Sequence, residues 1–66
     1  MNYNKTKIWI IPSEILDTIC YSLDELRKEL SYIIDDKTEI NEIIDKARIM
    51  KDEDVLEEFD IICQYK

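Results

Sequence analysis

A chain that contains no glycine has no residue that enters left-handed backbone conformations freely, and this absence limits its folds more than any motif it carries. A sheet-rich domain of 66 residues would need several tight turns, which are usually made with Gly or Asn-Gly. Helices joined by short polar turns are the expected solution. Pro12 is the one proline, and neither a Ser-rich linker nor an internal repeat divides the chain. One domain is expected, with a thin core, because a chain this short buries only ~60% of the surface its unfolded form exposes. A partner or a second copy is the natural source of further stability.

The apolar pattern gives the expected elements. Residues 6–11 (Thr-Lys-Ile-Trp-Ile-Ile) are β-branched and aromatic, Pro12 ends them, and Ser13 offers an N-cap oxygen. This predicts a short extended N-terminal arm or strand over 1–12 and a helical domain over 13–66. Ile15, Ile19, Leu23, Leu26, Leu30 and Ile33 then recur at spacings of four and three. With Leu16 and Ile34 they fall on one arc ~100° wide, which predicts a single helix over about 13–34. Ser22 and Glu25 have capping-box spacing and would start a helix at Ser22 instead, but the unbroken stripe outweighs them. After the polar break at Asp35–Lys37, Thr38 can cap a second helix with the stripe Ile40, Ile43, Ile44, Ala47 and Met50. A third stripe, Val55, Leu56, Phe59, Ile62 and Cys63, follows acids suited to a helix start. The fold expected is all-α: a small three-helix bundle, or a long helical hairpin if the last two helices fuse.

Charge and composition narrow the function. Sixteen acidic against nine basic side chains give a formal charge of −7, which repels phosphate backbones and anionic lipid and argues against direct nucleic-acid binding. The charge either keeps a small protein soluble or is aimed at a basic protein partner. The longest apolar run, Ile8 to Ile11, is far short of the ~20 residues that span a bilayer, and the N-terminus lacks the features of a secretory signal. A cytoplasmic location is expected. Abundant Ile, Asp, Glu, Lys and Asn point to an AT-rich genome such as that of a low-GC bacterium, its phage or a large DNA virus.

Chemistry is limited by missing side chains. With no histidine and only Cys20 and Cys63, the chain offers no Ser-His or Cys-His pair and no ordinary zinc site, and without glycine it has no usual phosphate-cradling loop. No catalytic residue, cofactor or metal is expected. The two cysteines are expected to be buried thiols too far apart for a disulfide. The cluster Asp52, Glu53, Asp54, Glu57, Glu58 and Asp60 lacks calcium-loop spacing; it reads as a solvated helix start or as an acidic docking face. On the helix-one wheel, Tyr21 and Tyr32 lie opposite the core arc, where the arm with Trp9 either covers them or leaves them as a contact surface. Ile49, Ile61 and Tyr65 also project from their stripes. Together these residues favour a homodimer or a heteromeric interface.

The segments Glu25-Leu26-Arg27-Lys28-Glu29-Leu30 and Glu58-Phe59-Asp60-Ile61-Ile62 resemble helices of the short sporulation-type aspartyl-phosphate phosphatases. That resemblance implies a helical hairpin acting on response regulators. Leu56 stands where the family has Ser, so phosphatase activity remains an alternative. The preferred expectation is a non-enzymatic, protein-binding inhibitor or regulator of the kind phage and mobile elements encode. A DNA mimic that occupies a nucleic-acid-binding cleft is a second alternative.

Overall fold

In the computed structural model, which describes residues 6–66, the run before Pro12 forms strand β1 (Lys7–Ile11) at the centre of a sheet. The chain continues through β2 (Thr18–Cys20), helix α1 (Leu23–Ser31), helix α2 (Lys37–Arg48), a 3-10 turn (Glu58–Asp60) and β3 (Ile62–Tyr65). Both β2 and β3 pair antiparallel with β1, giving the strand order β2-β1-β3. The fold is therefore α+β, two helices packed on one face of a three-stranded sheet. The expected all-α bundle, and the hairpin variant of it, are corrected. Residues 1–5, with Tyr3, lie outside the described residues.

The single helix expected over 13–34 is replaced by a loop, β2 and α1. Ser22 takes the N-cap: its Oγ accepts from Glu25 N at 3.1 Å, while Glu25 Oε1 accepts from Tyr21 N at 3.1 Å. This variant of the capping box, with Glu25 reaching Tyr21 N instead of Ser22 N, starts α1 eight residues after Ile15 and frees 18–20 to pair with β1. Four stripe positions, Ile15, Leu16, Ile19 and Ile33, are consequently exposed rather than core. The expected third helix is also absent. Residues 53–56 instead run beside β3: Glu53 N donates to Cys63 O, Cys63 N to Asp54 O and Leu56 N to Ile61 O. Two residues, Glu53 and Asp54, thus oppose Cys63, which is a β-bulge, and Val55 and Phe59 become surface residues.

Helix α2 agrees with its pattern. Ile40, Ile43, Ile44, Ala47 and Met50 are all buried, but the cap is Asp36 and not the expected Thr38: Asp36 Oδ1 accepts from Thr38 N at 2.9 Å, which puts Thr38 in the first turn. The core joins these to Leu26 and Leu30 of α1 and to the inner row of the sheet, Cys20–Trp9–Cys63. Side chains directly opposite one another on paired strands share a face, so this row looks at the helices. Trp9 Nε1 donates to Ala47 O at 3.0 Å, and Lys7 Nζ donates to Arg48 O at 2.8 Å. Strand β1 thereby satisfies carbonyls at the C-terminal end of α2 and presents a positive charge to its dipole. The outer face carries a second cross-strand row, Ile19–Ile10–Ile62–Val55, in which Ile19 and Val55 are exposed.

Candidate interaction site

Exposed apolar side chains gather at one end of the sandwich, where β1 ends and β2 begins. Glycine would ordinarily turn the loop between them; here side-chain oxygens hold it, with Ser13 Oγ accepting from Ile15 N at 3.3 Å and Asp17 Oδ1 from Ser13 N at 3.1 Å. The loop presents Ile15 and Leu16 at 95% and 78% exposure. Leu16 borders a cleft of about 470 Å³ whose other walls are Ile11, Pro12, Ser13, Thr18, Ile33, Phe59 and Asp60. The cleft leads toward the layer between sheet and helices, since Ile11 packs against the buried core.

The 3-10 turn forms one wall under backbone strain. Phe59 and Asp60 have φ of 61° and 54°, a conformation that costs a bulky L-residue roughly 1–2 kcal/mol. It places Phe59, 43% exposed, in the cleft. On the same turn, Glu58 lines an acidic hollow of about 360 Å³ with Asp36, Thr38, Glu39, Glu42, Ile43 and Lys46. Glu58 Oε1 meets Lys46 Nζ at 3.0 Å, which holds the ammonium pKa above its ordinary value, while Glu58 Oε2 is buried without a hydrogen-bond partner. An apolar cleft and an acidic hollow thus flank one strained turn. Among the described residues, no group of three His, Cys, Asp or Glu side chains is placed to hold a metal ion.

The residues nominated from sequence are dispersed by this fold. Trp9 and Ile61 are buried in the core and are not available to a partner at the surface of the folded chain. Tyr21 and Tyr32 are exposed, but Tyr21 precedes α1 and Tyr32 caps its C-terminus, so no single helix face aligns them. Tyr65 lies at the sheet margin with Lys7 Nζ 5.9 Å from its ring centre; the same ammonium is 5.4 Å from the Trp9 ring. In the acidic run, Asp52 Oδ1 accepts from Tyr65 N at 2.9 Å and Asp54 Oδ2 from Lys51 N at 2.7 Å. These two acids hold a turn together. Glu53 occupies the bulge with φ 69°, Glu57 is exposed, and Glu58 is tied to Lys46.

Spacing places Leu16, Ile33 and Phe59 in the core stripes, whereas the fold puts them at the surface. Pro12-Ser13 and the capping box at Ser22 were the signals that could have released Ile15 and Leu16 from a helix. Of the segments that resemble aspartyl-phosphate phosphatase helices, Glu25–Leu30 lies in α1, but Glu58–Ile62 is a 3-10 turn leading into β3. The implied helical hairpin is therefore absent. Neither a protein-family model, nor a curated protein, nor a solved structure matches the chain.

Proposed function

We propose that this chain is a small acidic protein-binding module that inhibits or regulates a partner protein, and that the partner docks at the cleft between the β1–β2 loop and the 3-10 turn. One observation supports this above all: Leu16, Ile33 and Phe59, all exposed, converge on a cleft whose one charged lining residue is the carboxylate Asp60. Apolar anchors that become desolvated contribute most of the affinity in protein interfaces, whereas peripheral charge chiefly sets on-rate and partner choice. Glu14, Asp17, Asp35 and Glu57, all exposed, lie within two residues of cleft residues in the sequence. A partner with an apolar anchor beside lysine or arginine fits both features.

The test places a photo-crosslinking amino acid at position 16 and, as a control, at position 45 on the exposed side of α2. A single partner captured from source-cell extract at position 16 and not at 45 supports the proposal. Phe59→Asn then separates binding from folding, because Asn tolerates the left-handed backbone while losing the aromatic anchor. Affinity for the captured partner should fall at least about tenfold with unchanged or improved thermal stability. Full affinity in Phe59→Asn and in Leu16→Asp would refute docking at this cleft.

A further inference from the structure

We propose that the outer edge of β2 takes an extended, lysine- or arginine-bearing segment of the partner as an added strand. This deepens the binding proposal and rests on it. The first observation is an asymmetry between the two sheet edges. The outer edge of β3 is closed: Cys63 N and O bond to Asp54 O and Glu53 N, and Tyr65 N bonds to Asp52 Oδ1. On the other side, the orientation of β2 follows from the register. Thr6 and Lys66 bond reciprocally through N–H and C=O, so alternate β1 residues Thr6, Ile8 and Ile10 turn toward β3. Lys7, Trp9 and Ile11 turn toward β2, where Cys20 is the partner of Trp9 and Thr18 that of Ile11. Ile19 is therefore the β2 residue whose N–H and C=O point away from the sheet, and among the described residues neither has a protein partner, while the next donor of the same phase, Tyr21 N, is taken by Glu25 Oε1; the open part of this edge is Ile19 itself.

The second observation concerns what guards this edge. Sheet edges are commonly blunted by lysine, proline or a bulge. β2 itself contains none of these, and from Ser13 to Leu26 the chain carries Glu14, Asp17, Asp24 and Glu25 with no lysine or arginine. The charge complementarity favours a basic strand over a second copy, whose β2 would bring the same carboxylates face to face. The position also suits the cleft. Thr18 belongs both to β2 and to the cleft wall, so a segment paired through Ile19 runs alongside the pocket that accepts its apolar anchor. On the outer face, the added strand would extend the row Val55–Ile62–Ile10–Ile19 and cover the exposed side of Ile19.

The experiment titrates the intact, ¹⁵N-labelled chain with a capped Lys-Ile-Lys-Val-Lys-Ile peptide. Two control peptides replace each Lys by Glu or methylate every backbone nitrogen. Amide exchange is followed residue by residue. The lysine peptide should slow exchange at the Ile19 amide by about tenfold or more, as expected for a newly paired strand. It should also give backbone contacts to Ile19, and both controls should fail to do so. Equal binding of the N-methylated peptide would overturn strand addition, since side chains alone would then suffice. Protection of Ile19 before any peptide is added, in a species with twice the chain mass, would overturn it in favour of self-pairing. Unchanged exchange at Ile19, with shifts confined to Leu16, Ile33 and Phe59, would overturn the edge while leaving docking at the cleft intact. Loss of cleft docking alone is read independently by Leu16→Asp and Phe59→Asn with the captured partner.

Discussion

Three residues of this glycine-free chain adopt positive φ: Glu53, Phe59 and Asp60. Glu53 is the third residue of a turn closed by Asp54 N to Lys51 O at 3.0 Å and also the first residue of the bulge, a place where glycine is the usual occupant. Glu53→Gly should therefore stabilise the protein by about 1 kcal/mol, relief of strain exceeding the added unfolded-state entropy. An increase in urea midpoint with unchanged slope would show it; a decrease would mean that the Glu53 side chain matters more than its backbone. At Phe59 and Asp60 the same strain sits in the cleft wall, where it sets the direction of the aromatic ring. The thiols make a second prediction at this scale. Cys20 is fully buried, and burial first, then the carboxylates of Glu29 and Glu25, push its pKa from 9.0 up to about 11. Cys63 is raised as well, by burial first and by Asp54 and Asp52, with Lys7 opposing. The folded chain thus holds a proton that the unfolded chain releases above pH 9. The associated stability is present below pH 9 and is lost as pH rises through about 11. Cys20→Ala should flatten that alkaline fall in urea-unfolding free energy, and an equally steep fall in the variant would show that Cys20 does not drive it.

At the scale of elements, caps decide what the chain becomes. Replacing Ser22 by Ala removes the oxygen that accepts from Glu25 N and should cost about 1 kcal/mol, read as a lower urea midpoint. Leu26, with no exposed surface, lies one turn further on, and Leu26→Ala should cost about 2–4 kcal/mol. An unaltered midpoint in either variant would remove that residue from the account of α1. Helix α2 was legible because its stripe and its preceding polar break agreed, although the cap is Asp36 within that break rather than Thr38. Of the helix expected over 13–34 only the part that is α1 forms, since Ile15, Leu16, Ile19 and Ile33 meet helical spacing while their backbone serves a loop, a strand and a link. β2 and β3 are three and four residues long, too short for alternation to stand out, and their pairing depends on contact with a segment distant in sequence. The cleft was hidden for the same reason: its apolar residues are the ones that the stripes had assigned to the core. Burial of Trp9 and Ile61 could not be read without knowing that residues 7–11 form the central strand.

For the whole molecule, the sheet and the helical pair are held together through β1. Its inner side chains reach α2 at Ala47 O and Arg48 O, and its outer neighbours close around it on both sides. Cys20 and Cys63 lie one strand to either side of Trp9, about two strand spacings or ~10 Å apart, beyond the ~7 Å that a disulfide tolerates. Both are free thiols. Trp9 is the chain's one tryptophan, and its place between those sulfurs, with its indole N–H on Ala47 O, has an optical consequence. Thiols quench indole emission and a buried ring emits toward the blue, so the intact molecule should glow weakly at short wavelength. Separation of sheet from helices would expose the ring and shift its colour to the red, whereas unpairing of the strands would relieve the quenching, so the two signals report the two levels of structure without a label.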